Sequence, residues 1–110
     1  MAALAHTAVL ALGSNLGESE TTLEQAAADL VHLSAGAVRL VRASGLYVTE
    51  PVGGPADQPD YINAVLEVRT SLDPYTLLAL CQQVEAHHHR VRLVRWGPRT
   101  LDIDVITYDD

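Results

Sequence analysis

The chain has 110 residues, 48% of them apolar and 19% charged, enough for one aliphatic core without disulfide or metal staples and too few for a second domain. Fourteen acidic residues against seven basic ones give a net charge of −7, which argues against nucleic acid as a partner. All seven basic residues are arginine, so a Walker A lysine, a Schiff-base lysine and a lysine general base are excluded.

The single cysteine, Cys81, allows no intramolecular disulfide, and no apolar run reaches the roughly 18 residues of a membrane span. The first six residues lack the positive n-region of a signal peptide. The expectation is a cytoplasmic protein with no membrane partner and, by default, a monomer. With four tyrosines, one tryptophan and no phenylalanine, the core must be aliphatic.

In chain order, Thr7 to Leu12 (TAVLAL) reads as a buried strand ending in the turn Gly13-Ser14-Asn15-Leu16-Gly17. Leu23, Ala26, Ala27, Leu30 and Val31 then recur at helical spacing, with Ser19 or Thr21 able to cap the start and Gly36 to stop the end. Ala37 to Thr49 is rich in β-branched residues and interrupted by Gly45, which predicts one long strand with a bend or bulge. Glu50 to Asp60 holds three prolines and two glycines and reads as a loop of a length that commonly carries function.

From Tyr61 to Ser71 the pattern is again strand, with Ile62, Ala64, Leu66 and Val68 on one face and Asn63, Val65, Glu67 and Arg69 on the other. Asp73-Pro74 has the form of an N-cap followed by proline at the first helical position, and Leu77, Leu80, Cys81 and Val84 carry a second helix to about His89. Arg90 to Thr100 is basic and broken by Gly97-Pro98, and Leu101 to Tyr108 is the last strand. The order β-α-β-β-α-β predicts a ferredoxin-like α+β sandwich, an antiparallel sheet with both helices on one face.

Asp102 and Asp104 sit two apart on the last strand, so their carboxylates leave one face about 7 Å apart. A solvated face explains such a pair. Ile106 follows them on the same parity, however, and Leu101, Ile103 and Val105 fill the other. Two carboxylates on a strand apolar on both faces suit a hard cation such as Mg²⁺, which takes one or two carboxylates plus phosphate oxygens. Arg90, Arg92, Arg95 and Arg99 crowd into ten residues just before, where guanidinium groups could grip phosphate. Helix-dipole complementation covers Arg90 and Arg92 but hardly Arg99.

Gly13 to Gly17 could cradle phosphate, although a plain strand-to-helix turn explains it as well. His87, His88 and His89 point about 100° apart on a helix and cannot close on one ion, so an exposed helix end is expected. Cys81 lies on an apolar stripe and reads as a core filler. Tyr61 and Asn63 share a strand face just after the Pro/Gly loop, where they could stack on and hydrogen-bond a flat heterocycle or simply pack.

Three stretches, ALGSNLG, DQPDYINAV and RWGPRTLDIDVI, together resemble the 6-hydroxymethyl-7,8-dihydropterin pyrophosphokinases of folate biosynthesis, over Val9 to Tyr108. The resemblance implies a ferredoxin-like core and transfer of the pyrophosphate of ATP to the hydroxymethyl group of the pterin, releasing AMP, with two Mg²⁺ ions. It implies that Asp102 and Asp104 hold both ions and that Arg90 and Arg99 bind phosphate. It further implies that Gln82 and Glu85 face the nucleotide, that Tyr61 stacks on the pterin, that Asn63 reads its edge, and that backbone near Thr49 and Val52 completes the pocket. Glu50 to Asp60 and Arg90 to Gly97 correspond to loops that close over the substrates.

Family members continue beyond this last strand with a segment supplying further ATP contacts and a second aromatic opposite Tyr61. The expectation here is therefore a single pyrophosphokinase-like domain over residues 1–110 without that segment, whose fold survives better than its catalysis. The rival readings are a non-catalytic ferredoxin-like ligand-binding module, an inactive truncated core, and a metal-dependent phosphohydrolase.

Overall fold

The computed structural model describes residues 3–15, 18–50, 59–88 and 101–109. Five strands and two helices follow in the order β1 (His6–Ser14), α1 (Ser19–Leu33), β2 (Val38–Ala43), β3 (Tyr47–Thr49), β4 (Tyr61–Thr70), α2 (Pro74–His88) and β5 (Asp102–Tyr108). The sheet runs β2-β4-β1-β5, with β3 also on β4, and every pairing is antiparallel. This is the expected ferredoxin-like α+β arrangement.

Period-two patterning decides which side of the sheet is covered. Ala8, Leu10 and Leu12 of β1, Ala64, Leu66 and Val68 of β4 and Ile103 of β5 are buried together with Leu23, Ala26 and Leu30 of α1 and Leu77, Leu80, Cys81 and Val84 of α2. Thr7, Val9 and Ala11, on the opposite parity of β1, are only half-buried. Both helices therefore lie on one face, and the other face carries the polar residues. Among the described residues no helix is long and apolar enough to cross a membrane.

The second helix starts as its sequence predicts: the Thr76 amide donates to Asp73 Oδ1 at 2.8 Å and the Thr76 hydroxyl to Asp73 Oδ2 at 3.1 Å. These bonds hold the Asp73 carboxyl below its usual range. Helix α1 ends before Gly36 as the sequence predicts but departs from expectation at its start. Its N-cap is Glu18 with no side-chain cap bond, and the Ser19 hydroxyl accepts from Ser14 Oγ at 3.2 Å. At its C-terminus Ala35 (φ 52°) and Gly36 (φ 93°) both turn left-handed, and Ser34 Oγ bridges the turn, donating to the Val31 carbonyl and accepting from the Val38 amide. Val31, expected on the apolar stripe, is exposed because the buried arc falls on Thr22, Leu23, Ala26 and Leu30.

The single strand expected over residues 37–49 is two strands end to end along β4. A register shift between Leu40 and Arg42 bends β2, and β3 resumes at Tyr47. Ser44 spans the gap by exchanging bonds with Val65, its amide to the Val65 carbonyl and the Val65 amide to its hydroxyl, both at 2.8 Å. His88 is not a free helix-end residue: its Nε2 lies 3.0 Å from Asp29 Oδ2 on α1, and the ring is mostly covered. Cys81 is fully buried, as its stripe position predicts.

Candidate functional site

Cross-strand register carries the site. On the open face Asp102 of β5 stands opposite Gly13 of β1, Gly13 opposite Asn63 of β4, and Asn63 opposite Tyr47 of β3. One row therefore crosses four strands. Asp104 begins the neighbouring row, opposite Ala11, which faces Val65. With neighbouring strands about 4.8 Å apart, Asp102 and Asn63 are separated by roughly 10 Å of backbone, bridged by a residue without a side chain.

The absence of a side chain at Gly13 bears on the Asn63 amide. A Cβ on Gly13 would stand 3.0 Å from Asn63 Oδ1, close enough that the amide would have to shift by a few tenths of an ångström, and in ordinary contact with Tyr61 Cδ1 at 3.6 Å. The Asn63 amide is oriented from its other side: Nδ2 donates to Thr49 Oγ1 at 2.8 Å and, more weakly, to the Tyr47 carbonyl at 3.3 Å and the Tyr61 carbonyl at 3.4 Å. Thr49 stands opposite Tyr61, which brings the two strands' aromatic and hydroxyl groups to one corner. Its donors thus occupied, Asn63 turns its Oδ1 acceptor toward the row that holds Asp102.

Asn15, 2% exposed, closes the top of β1; its Nδ2 donates to the Pro59 carbonyl at 3.0 Å and ties the β1 turn to the chain entering β4. On the helix side of β5, Glu85 Oε2 accepts the Ile103 amide at 2.8 Å, so this carboxylate reaches the backbone between the two aspartates. Cys81, one turn earlier, has its thiol pushed up to about 12, first by burial and then by the charges of Glu85 and Asp104. Gln82 is exposed on the same helix.

The structure brings together Asp102, Asp104, Tyr61, Asn63 and Thr49 on one face, and Glu85 behind the aspartates. Val52, Arg90 and Arg99 lie outside the described residues, as do His89, most of the Glu50–Asp60 loop and the rest of the arginine-rich stretch. One premise is corrected: Ile106 is 57% exposed and Asp104 is exposed, so β5 is covered on one face only, and two-sided burial does not explain its carboxylates. What remains is donor chemistry. Two hard-oxygen carboxylates on one sheet face, in the row of Asn63 and the next, fit Mg²⁺ shared with phosphate oxygens; among the described residues no third His, Cys, Asp or Glu completes a protein-only cage.

The Thr49 hydroxyl, and the place of Gly13 beside Asn63 rather than in a phosphate cradle, were not foreseen from the sequence. A glycine in a strand facing a polar parity on its neighbour is the available signal, but it needs the register to be known.

A family model described as 7,8-dihydro-6-hydroxymethylpterin-pyrophosphokinase matches residues 9–109. Curated proteins called 2-amino-4-hydroxy-6-hydroxymethyldihydropteridine pyrophosphokinase are similar over nearly all of the chain. The Bacillus subtilis protein is 48% identical over 93% of this chain and 59% of its own length. That of Haemophilus influenzae is 48% identical over 93% and 62%, and that of Pseudomonas aeruginosa 43% identical over 92% and 60%. The chain thus spans about three-fifths of these relatives.

Proposed function

The chain belongs to the 7,8-dihydro-6-hydroxymethylpterin-pyrophosphokinase family, and from that premise we propose that it acts in transfer of pyrophosphate from ATP to the hydroxymethyl group of 6-hydroxymethyl-7,8-dihydropterin, releasing AMP, in folate biosynthesis. The observation that carries the reading is the row Asp102–Gly13–Asn63. Its carboxylate suits metal-bound phosphate and its amide suits a heterocycle, both on one sheet face with the Gly13 backbone between them in the register. A match of this extent does not favour the reading as a non-catalytic binding module.

Tyr61 offers its ring to the pterin face, and Asn63 Oδ1 accepts from a ring donor while Nδ2 stays on Thr49. The main chain near Thr49 and Val52 completes the edge. Gln82 and Glu85 lie toward the nucleotide on α2, and Arg90 and Arg99 bind its phosphates. Asp102 and Asp104 would hold two Mg²⁺ ions, which when bound offset the charge of the triphosphate and acidify the attacking hydroxyl.

The substrate hydroxyl attacks the β-phosphorus in line. A new C–O–P bond forms, the bond between the β-phosphorus and the bridging oxygen breaks with its electron pair going to AMP, and the hydroxyl proton leaves to solvent. No protein nucleophile is needed, so the side chains orient the two substrates and balance charge. The partners are these small molecules. Neither nucleic acid nor membrane is needed, and one copy supplies every residue named, consistent with a cytoplasmic monomer.

The test is AMP release from ATP in the presence of the hydroxymethyl pterin, alongside calorimetry with Mg²⁺ and a non-hydrolysable ATP analogue. Asp102→Ala and Asp104→Ala should each abolish metal-dependent nucleotide binding while the fold is retained, and Asn63→Ala should weaken the pterin alone. Nucleotide cleavage to ADP and phosphate regardless of pterin would overturn the reading.

A further inference from the structure

We propose that Glu85 is a positioning residue, holding the Asp102–Asp104 segment through its backbone; this rests on the metal reading of the two aspartates. Among the described residues β5 is the outer strand of the sheet, paired with β1 alone. In an antiparallel ladder successive residues point their amides alternately toward the partner and away from it. The Ile103 amide is directed away, between the two aspartates, and would otherwise be an open edge donor. Glu85 reaches it from α2 at 2.8 Å.

A carboxylate is a costly choice for that task. Water or a neutral amide would satisfy the donor, whereas a third negative group beside Asp102 and Asp104 adds repulsion. Glu85 reaches the peptide between the two aspartates, and its charge and that of Asp104 both raise the pKa of the Cys81 thiol. What a fixed acceptor on α2 supplies is register. The helix is anchored in the core by Leu77, Cys81 and Val84, so the bond from Glu85 fixes the peptide from which the two aspartates diverge to either side. Outer-shell partners of metal ligands act in this way, and losing one commonly costs roughly tenfold or more in metal affinity.

Reach and charge can be separated. Glu85→Gln keeps the reach and removes the charge; Glu85→Asp keeps the charge and is one methylene too short. Two readouts apply to the full chain: hydrogen exchange of the Ile103 amide without metal, and binding of Mn²⁺ alone followed by water-proton relaxation. Glu85→Asp should lose Ile103 protection and bind Mn²⁺ about tenfold more weakly, while Glu85→Gln should keep both near the parent values.

If Glu85→Gln protects Ile103 yet binds Mn²⁺ as poorly as Glu85→Asp, holding the amide is not what sets metal affinity and the proposal fails. It also fails if Glu85→Asp frees the amide without changing Mn²⁺ affinity. Asp104→Asn checks the underlying metal reading separately: unchanged Mn²⁺ binding there removes that reading, whatever Glu85 does.

Discussion

The side-chain amide of Asn63 donates to the hydroxyl of Thr49 at 2.8 Å, joining β4 to β3 across the open face of the sheet. The bond decides which end of the amide is offered outward. With Nδ2 committed to Thr49 and to two carbonyls, Oδ1 is the group left for a ligand. Thr49→Val keeps the shape of the side chain and removes the acceptor, so the amide is free to rotate. One neutral hydrogen bond is worth about 1 kcal/mol net, or roughly fivefold in affinity. Pterin binding measured by calorimetry should weaken by that factor with nucleotide binding unchanged, and Thr49→Ser should recover it. Equal loss in both variants would mean that the methyl group matters and the hydroxyl does not.

Gly13→Ala sets two effects of opposite sign against each other. Replacing a strand glycine removes unfolded-state freedom, which stabilises by about 0.5–1 kcal/mol where the backbone tolerates a side chain. The new Cβ, however, would sit 3.0 Å from Asn63 Oδ1, and the amide must give way. The expected result is a melting temperature at or slightly above the parent's together with pterin affinity reduced about tenfold or more, some 1.4 kcal/mol. A variant with lower stability and intact pterin binding would show that the glycine serves the sheet and has no part in the pocket.

The fold was legible where information is local. Ala64, Leu66 and Val68 alternate with Asn63, Val65, Glu67 and Arg69, so period two assigns their face, whereas Thr7 to Leu12 reads only as a buried run and its covered side, Ala8, Leu10 and Leu12, emerged from the packing. Asp73-Pro74 announces its helix through a cap that needs only three residues. The split at Ser44 was half visible, since Gly45 suggested a bend, but Ser44's exchange of bonds with Val65 depends on β4 being alongside. Within the site, Asp102, Asp104, Tyr61 and Asn63 could be picked out by residue type and parity. The contacts that arrange them could not: Gly13 reaches Asn63 through a register fifty residues apart, and Glu85 meets Ile103 only because α2 packs beside an outer strand. Such contacts are set by packing and leave no mark on neighbouring residues.

Acid should act through two carboxylates far from the site. The Asp73 carboxyl is held below the ordinary carboxylate range chiefly by the Thr76 amide, and Asp109 is lowered chiefly by the Thr7 amide and then by His6, whose Nδ1 lies 2.7 Å from Asp109 Oδ2. A carboxylate whose folded pKa is depressed contributes stability that is present above its unfolded pKa and is lost as pH falls through the folded value. The melting temperature should therefore hold down to about pH 4 and fall below it. Asp73→Asn and Asp109→Asn should each flatten that fall, and an unaltered acid profile in the double variant would remove these two groups as its cause.

Cys81 gives the most direct report on the integrity of the core beneath β5. Its thiol is fully buried and pushed up to about 12 by burial first, then by Glu85 and Asp104. Alkylation requires both the thiolate and access to it, and the native state supplies neither. Iodoacetamide at pH 8 should leave the folded chain unmodified over hours and label it within minutes in denaturant, so that any native labelling measures opening of the α2–β5 packing. Cys81→Ser places a hydroxyl among Leu77, Leu80, Val84 and Ile103 and should cost about 1–3 kcal/mol, as an unsatisfied buried polar group does. Cys81→Ala leaves a void too small for much loss and should cost less than the serine variant. Rapid labelling of the native chain, or serine tolerated better than alanine, would mean that solvent reaches this side of β5 and that the aspartates are carried on a looser strand than the packing indicates.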